Sequence, residues 1–444
     1  MNPTIRSSAA FTLVLACASA PLAAQALSEQ EQRVRDAAAA TTEAEIAYLQ
    51  RVVDIPSSTL NVEGVRRVGG VFRATLDSLG FTTTWVGMPD AMHRGGHLVA
   101  EHRGRAGTVR MLLIGHLDTV VEPGGPSWVR EDSTARGVGS NDMKGGDVVI
   151  LYALKALEAA GALRDLNLSI VFTGDEESAG TPLTMARAAL IEAARRNDVA
   201  LAFEGGNRSD ATVARRGASS WVLRTTGRQA HSAGVFGPGA GYGAIYELAR
   251  ILDAFRTQLV GEQYLTFNVA TVVGGAEVSY DTATVSGTAA SKTNIVPPTA
   301  VAHGDLRFIS EEQKERTRAR MRLIVAQHLP GTGAEINFID TYPAMSPTEG
   351  NARVLAIYDG ASQALGFGPV AALDPGRRGA GDISFVAPLI DGLDGLGAIG
   401  GGSHAPGERV SLATLPMLTQ RAALLFLRLG ARPATEFPHH QPTP

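Results

Sequence analysis

Three short apolar runs, at residues 111–114, 166–172 and 199–203, each end on a histidine or an acidic segment. Continuous apolar runs of this length, without strict alternation, belong to strands covered on both faces. Segments of helical spacing at 142–160, stopped by Gly161, and at 182–195 alternate with them. That alternation predicts an α/β unit with a mainly parallel sheet in a three-layer arrangement. Two further helical segments precede it, at 28–53 and at 62–79, the second stopped by Gly80. Strand-like segments follow at 81–86, 97–102 and 109–114.

The texture changes near residue 211. A long alternating segment at 212–226 reads as antiparallel strand material. It is followed by a helix at 242–259, strands at 265–273 and 301–308, and a charged amphipathic helix at 311–328. This β-α-β-β-α-like block predicts an inserted α+β, ferredoxin-like domain at 211–328. The α/β pattern then resumes with a helix at 351–365, a strand at 396–400 and a terminal helix at 411–429. The expected organisation is therefore a first catalytic part at 27–210, the insertion, a second catalytic part at 329–430, and a frayed, proline-bearing tail at 431–444.

Composition excludes several classes. The 444 residues are 44% hydrophobic and 19% charged, which excludes bulk disorder. A net charge of −4 leaves no basic footprint for nucleic acid. Residues 1–26 carry one charge, Arg6, then a small apolar run, then Ala24-Gln25-Ala26. This pattern predicts a cleaved export signal and a periplasmic or secreted protein. The run is too short for a membrane span, and no later stretch reaches the needed length. The single cysteine, Cys17, lies inside this segment. Lipid attachment there is the alternative, for which Leu15 is a poor match. With no other cysteine, a metal site would have to use His, Asp and Glu.

The strand ends supply those residues. His116-Leu117-Asp118 follows the first run, and an Asp at that spacing can accept the second N–H of a ligating imidazole. Asp142 lies in Gly139-Ser140-Asn141-Asp142-Met143-Lys144-Gly145-Gly146 at a helix start. An N-cap role would also suit it, but the glycines allow closer backbone approach than a cap needs. Gly174-Asp175-Glu176-Glu177 ends the next run. Adjacent side chains diverge, so one glutamate can bind a metal while the other faces a water. Glu204, in Phe203-Glu204-Gly205-Gly206, and His404, in Gly400-Gly401-Gly402-Ser403-His404, complete the set. Nitrogen and oxygen donors without thiolate suit a hydrolytic zinc pair, with His116, Asp142, Glu177, Glu204 and His404 as ligands and Glu176 as base.

These motifs resemble those of the dinuclear zinc exopeptidases and deacylases, which include glutamate carboxypeptidase, aminoacylase, acetylornithine deacetylase and succinyl-diaminopimelate desuccinylase. The resemblance extends over nearly the whole chain after the signal, and is nearest to glutamate carboxypeptidase. It implies that His116 and Glu204 complete one zinc, Glu177 and His404 the other, and that Asp142 bridges. Cobalt or manganese would fit the same donors. Asp118 would orient His116, Glu176 would act as general base, and the Asp142–Met143 peptide would be cis. In the insertion, His231 resembles a histidine that reaches a partner subunit's site and binds the oxyanion, which implies a homodimer and a lid role. Asn294 resembles the asparagine beside it, and Arg307 an arginine that clamps a substrate carboxylate. A lid-loop contact for His231 and a strand-surface ion pair with Asp305 for Arg307 are the structural alternatives. Gly401 and Gly402 could offer backbone N–H groups to the same carboxylate. The loop 236–245 departs from its relatives' proline and Asn-Ala-Ile pattern.

The activity implied is hydrolysis of a peptide or N-acyl amino acid. Export favours a carboxypeptidase that releases a C-terminal residue, with an acidic residue as the narrower reading. An N-acyl-amino-acid deacylase or dipeptidase is the second reading, and a non-catalytic peptide-binding protein the third. No Gly-x-Ser-x-Gly elbow supports a serine hydrolase.

Overall fold

The computed structural model describes residues 26–440, apart from 123, 125 and 126. The expected export signal and Cys17 therefore lie outside the described residues, except for Ala26.

The three apolar runs form strands Asn167–Thr173, Arg110–His116 and Val199–Ala202, adjacent and parallel in a six-stranded sheet. Asp391–Leu393 joins them in parallel at one edge. His97–His102 and Thr82–Val86 extend the other edge with antiparallel pairings. The runs are continuous because both sheet faces are covered. Met111 and Leu113 point into a core with Val148, Leu151, Leu418 and Phe426. Leu112 and Ile114 point the other way, against Leu190, Ala193, Ile383 and Val386. Helices Val62–Ser78, Lys144–Ala159 and Leu415–Gly430 contribute to the first layer. The three-layer α/β expectation holds.

The second sheet is wholly antiparallel, in the order Thr266–Gly275, Thr299–Phe308, Gly217–Gly227, Thr332–Tyr342. Helices Ala244–Gln258 and Glu311–Val325 pack on one face over Trp221, Leu223, Phe255, Leu306 and Met321. Chain order and strand order together give the β-α-β-β-α-β ferredoxin-like arrangement. Its fourth strand lies beyond the expected boundary at 328. The alternation in Thr332–Tyr342 is of mostly exposed and half-buried residues, so it carries little apolar signal. The chain passes between the two sheets at adjacent points: Arg215 and Met345 exchange both backbone hydrogen bonds, at 2.9 and 3.1 Å.

Other differences have local causes. The helical segment at 182–195 is two short helices, Leu183–Ala186 and Ala188–Ala194, broken at Arg187. That side chain is buried between Asp175 (2.7 Å) and Asp382 (2.8 Å). The segment at 28–53 likewise divides, into Glu29–Ala40 and Thr42–Val53. The sheet strand expected at 396–400 falls at Asp391–Leu393 instead, where Asp and Gly disguise it. Residues 396–398 continue alongside the Glu204 loop, with Gly397 donating to the Glu204 carbonyl (3.0 Å) and Gly206 to that of Ala398 (2.8 Å). Within the tail expected to fray, the described residues 431–440 are docked. Val109 donates to the Arg432 carbonyl, Phe437 is buried, and His440 Nε2 lies 3.0 Å from Asp391. A buried aromatic ring outweighs the prolines around it.

Candidate metal centre and active site

The parallel strands end on one side of the sheet, and that is where the polar residues converge. His116 closes its strand and is buried. Its Nδ1 lies 3.0 Å from the Asp118 carbonyl and 3.5 Å from the Asp118 carboxylate. The ring is thereby fixed with Nε2 facing Asp142 Oδ1 (3.3 Å) and Glu204 Oε1 (3.8 Å). Asp118 is fully buried. It accepts from Thr59 (2.6 Å) and from the backbone N–H groups of Glu176 (3.1 Å) and Glu177 (3.2 Å). One residue thus orients both: the Asp118 carbonyl holds the histidine ring and its carboxylate holds the backbone of the glutamate pair.

Asp142 is the centre of the arrangement. Helix Lys144–Ala159 begins two residues later, and its N-cap is Met143, so Asp142 does not cap it. The Asp142–Met143 peptide is cis, as the resemblance implied. Asp142 Oδ2 lies 3.2 Å from His404 Nε2, which in turn lies 3.3 Å from Glu177 Oε2. Two three-donor groups therefore share one aspartate. His116, Asp142 and Glu204 form one, and Asp142, Glu177 and His404 the other, each with its donor atoms within 4.8 Å of one another. His116 also falls within that limit of Glu176 and Glu177. His404 is the exposed member and has a positive φ of 64°.

The electrostatics are those of crowded buried acids. Burial, then the Glu204 charge, hold Glu176 well above the ordinary carboxylate range. Burial also pushes Glu177 up to about 8 and Glu204 up to about 7, with Asp142 adding repulsion to both. Burial opposes the His116 charge, but Asp118, Asp142 and Glu204 outweigh it and raise its pKa. Buried like charges at this density call for a compensating cation.

The insertion's residues stand apart. No hydrogen bond or ion pair among the described residues joins His231, Asn294 or Arg307 to this cluster. His231 is exposed, on the short strand Ala230–His231 paired with Ile295–Val296. Its Nδ1 accepts from the Ala233 N–H at 3.1 Å, which leaves the proton on Nε2. The Asn294 carbonyl accepts from Ser232 N–H (2.9 Å), tying the two segments together. Arg307 pairs with Asp305 at 2.9 Å, the strand-surface alternative. Gly401 ends the short strand Gly400–Gly401, and Gly402 follows with φ of 76°.

Several neighbours carry no sequence signal that marks them. Glu408 is buried and accepts three backbone N–H groups around Asp142. Arg215 is buried against Asp394 and donates to the Gly379 and Ala380 carbonyls, and its charge favours ionised Glu204. Arg378 donates to the Gly205 carbonyl. Only proximity in space connects these residues with the motifs.

Fold and cluster together define a hydrolase of amide bonds. A model of peptidase family M20/M25/M40 matches residues 112–428, and the chain belongs to that family. It is 27% identical over 450 residues to carboxypeptidase G2 of Pseudomonas sp., covering 97% of this chain and 100% of that one. It is 27% identical over 364 residues to a succinyl-diaminopimelate desuccinylase of Acidiphilium cryptum, covering 79% of this chain and 90% of that one. Among solved structures, the aminopeptidase PepT of Bacillus cereus aligns with a TM-score of 0.69 at 17% identity, covering 87% of this chain and 98% of that one.

Proposed function

We propose that this protein is an exported metallo-carboxypeptidase that hydrolyses the last amide bond of its substrate and releases a C-terminal amino acid. The observation that carries this reading is the pair of donor groups sharing Asp142, with Glu176 beside them. His116 and Glu204 would hold one metal ion, Glu177 and His404 the other, and Asp142 both. The donors are nitrogen and oxygen only, which suits zinc, with cobalt or manganese as substitutes. Two such ions, when bound, supply Lewis-acid polarisation of the scissile carbonyl and a more acidic water.

The chain's own residues do the rest. Glu176 accepts a proton from the attacking water and returns it to the leaving amine, a task that a carboxyl with a raised pKa suits. Asp118 holds His116 in one tautomer and Glu176 in one backbone position. His231, with its proton on Nε2, is a donor for the developing oxyanion. Because it stands apart from the cluster of its own chain, we assign it to the partner site of a homodimer, with Asn294 alongside. Arg307 would exchange Asp305 for the substrate carboxylate, aided by backbone N–H groups at Gly401 and Gly402. The signal-like segment at 1–26 supports export.

Carboxypeptidase G2 supports the carboxypeptidase reading, and the desuccinylase supports deacylation of an N-acyl amino acid as the second reading. A panel of N-blocked dipeptides and N-acyl amino acids, with metal content measured, separates them. Faster release from blocked dipeptides, at two metal ions per chain, is expected. Equal rates on both panels would overturn the ranking, and full activity after chelation would overturn the metal assignment.

A further inference from the structure

We infer that Glu408 is a positioning residue that clasps the Asp142 and His404 loops together, so that both metal positions form as one unit. The inference rests on the metal centre proposed above and goes beyond its ligand set.

Glu408 lies on the loop that carries His404. Strands Gly400–Gly401 and Arg409–Ser411 pair at the base of that loop. Glu408 N–H donates to the Ala405 carbonyl (3.1 Å), closing the turn after His404. The side chain reaches across to the other loop. Its Oε1 accepts from Asn141 N–H (2.7 Å) and Asp142 N–H (2.8 Å), and its Oε2 from Gly139 N–H (2.8 Å). Its own carbonyl accepts from Gly137 N–H (2.9 Å). A second tie runs parallel, from Asn141 Nδ2 to Ser403 Oγ (3.1 Å). The two loops are therefore joined through their backbones at one end and through Asp142 and His404 at the other.

The chemistry demands a carboxylate. Three N–H donors converge on two oxygens, and a carboxylate meets them with acceptors alone, whereas a protonated carboxyl would carry an O–H donor as well. An amide would set an NH₂ group against the N–H of Gly139, leaving a buried donor unpaired. Such an arrangement locates Asp142 by its backbone rather than by its side chain, so the side chain is free to face both donor groups. Disturbing the clasp shifts Asp142 relative to His116 and Glu204 on one side and to Glu177 and His404 on the other. A carboxylate that merely steadied the start of helix Lys144–Ala159 would affect folding and leave metal binding unchanged.

The test compares wild type with Glu408→Gln, both purified with zinc and dialysed against graded chelator. Bound zinc is measured by atomic emission, and the fold of each metal-free protein by circular dichroism. The expected result is that Glu408→Gln releases zinc from both positions at about ten-fold to a hundred-fold lower chelator activity, the range for residues that hold metal ligands in place. Wild-type zinc affinity at either position, in a folded variant, overturns the inference. If Glu408→Gln does not fold, Glu408→Asp is read in the same way, since it keeps the charge but is too short to reach all three N–H groups. A wild type that binds fewer than two zinc ions would refute the proposed centre itself, a result distinct from wild-type affinity in the variant.

Discussion

At the residue scale, the site is a set of side chains whose roles differ although their types repeat. Glu176 and Glu177 are neighbours in sequence, yet only Glu177 lies against His404. This asymmetry leads to a prediction for Glu176→Gln. It should lower kcat by at least about a hundred-fold, the scale of general acid–base catalysis, with KM and metal content little changed. Steady-state kinetics beside metal analysis would check this, and near-normal kcat would remove Glu176 from the role of base. The residues with chemistry were legible because histidine and acid pairs at strand ends are unusual in sequence. Glu408, Arg215 and Asp382 were not legible. Each is an ordinary charged residue in a loop, and its meaning depends on backbone N–H groups or partners far along the chain.

At the element scale, apolar continuity located the central strands, whose two faces are both buried. The same signal was weak at Asp391–Leu393, a buried strand of only three residues that includes Asp and Gly, and at Thr332–Tyr342, whose open face removes the need for apolar side chains. Helix packing contains a further titratable group. Glu45, on Thr42–Val53, is buried against Leu415–Gly430 and accepts from Thr419 Oγ1 at 2.6 Å, while its Oε2 has no partner among the described residues. Burial raises its pKa from 4.5 to about 8. The folded state then holds a proton that the unfolded chain has released. Stability from this site is complete below about 4.5 and declines through about 8, by about 1.4 kcal/mol per pH unit across that window. Glu45→Gln should flatten that decline, so its melting temperature should exceed that of wild type increasingly between about pH 5 and pH 8. Parallel melting curves for the two proteins across that range would show that Glu45 does not titrate there.

At the scale of the whole molecule, the α/β unit and the ferredoxin-like unit were both foreseen, although the second extends past residue 328. What one chain does not bring together is the His231 loop and the donor cluster. Mixing His231→Ala with Glu176→Ala tests whether a second chain does so. Each variant alone should be inactive, and the mixture should regain up to about a quarter of wild-type activity, because about half of its dimers are mixed and one of the two sites in each receives intact residues from both chains. No regained activity after demonstrated subunit exchange would place His231 outside the partner's site.

The order of the donors along the chain has a consequence for biosynthesis. Five of the six residues in the cluster precede the antiparallel unit, but His404 and its clasp Glu408 come after it. A growing polypeptide has the His116, Asp142 and Glu204 side chains long before it has His404 or the Glu408 carboxylate that locates Asp142. On the proposed two-metal assignment, hydrolytic competence waits until nearly the entire polypeptide has left the ribosome.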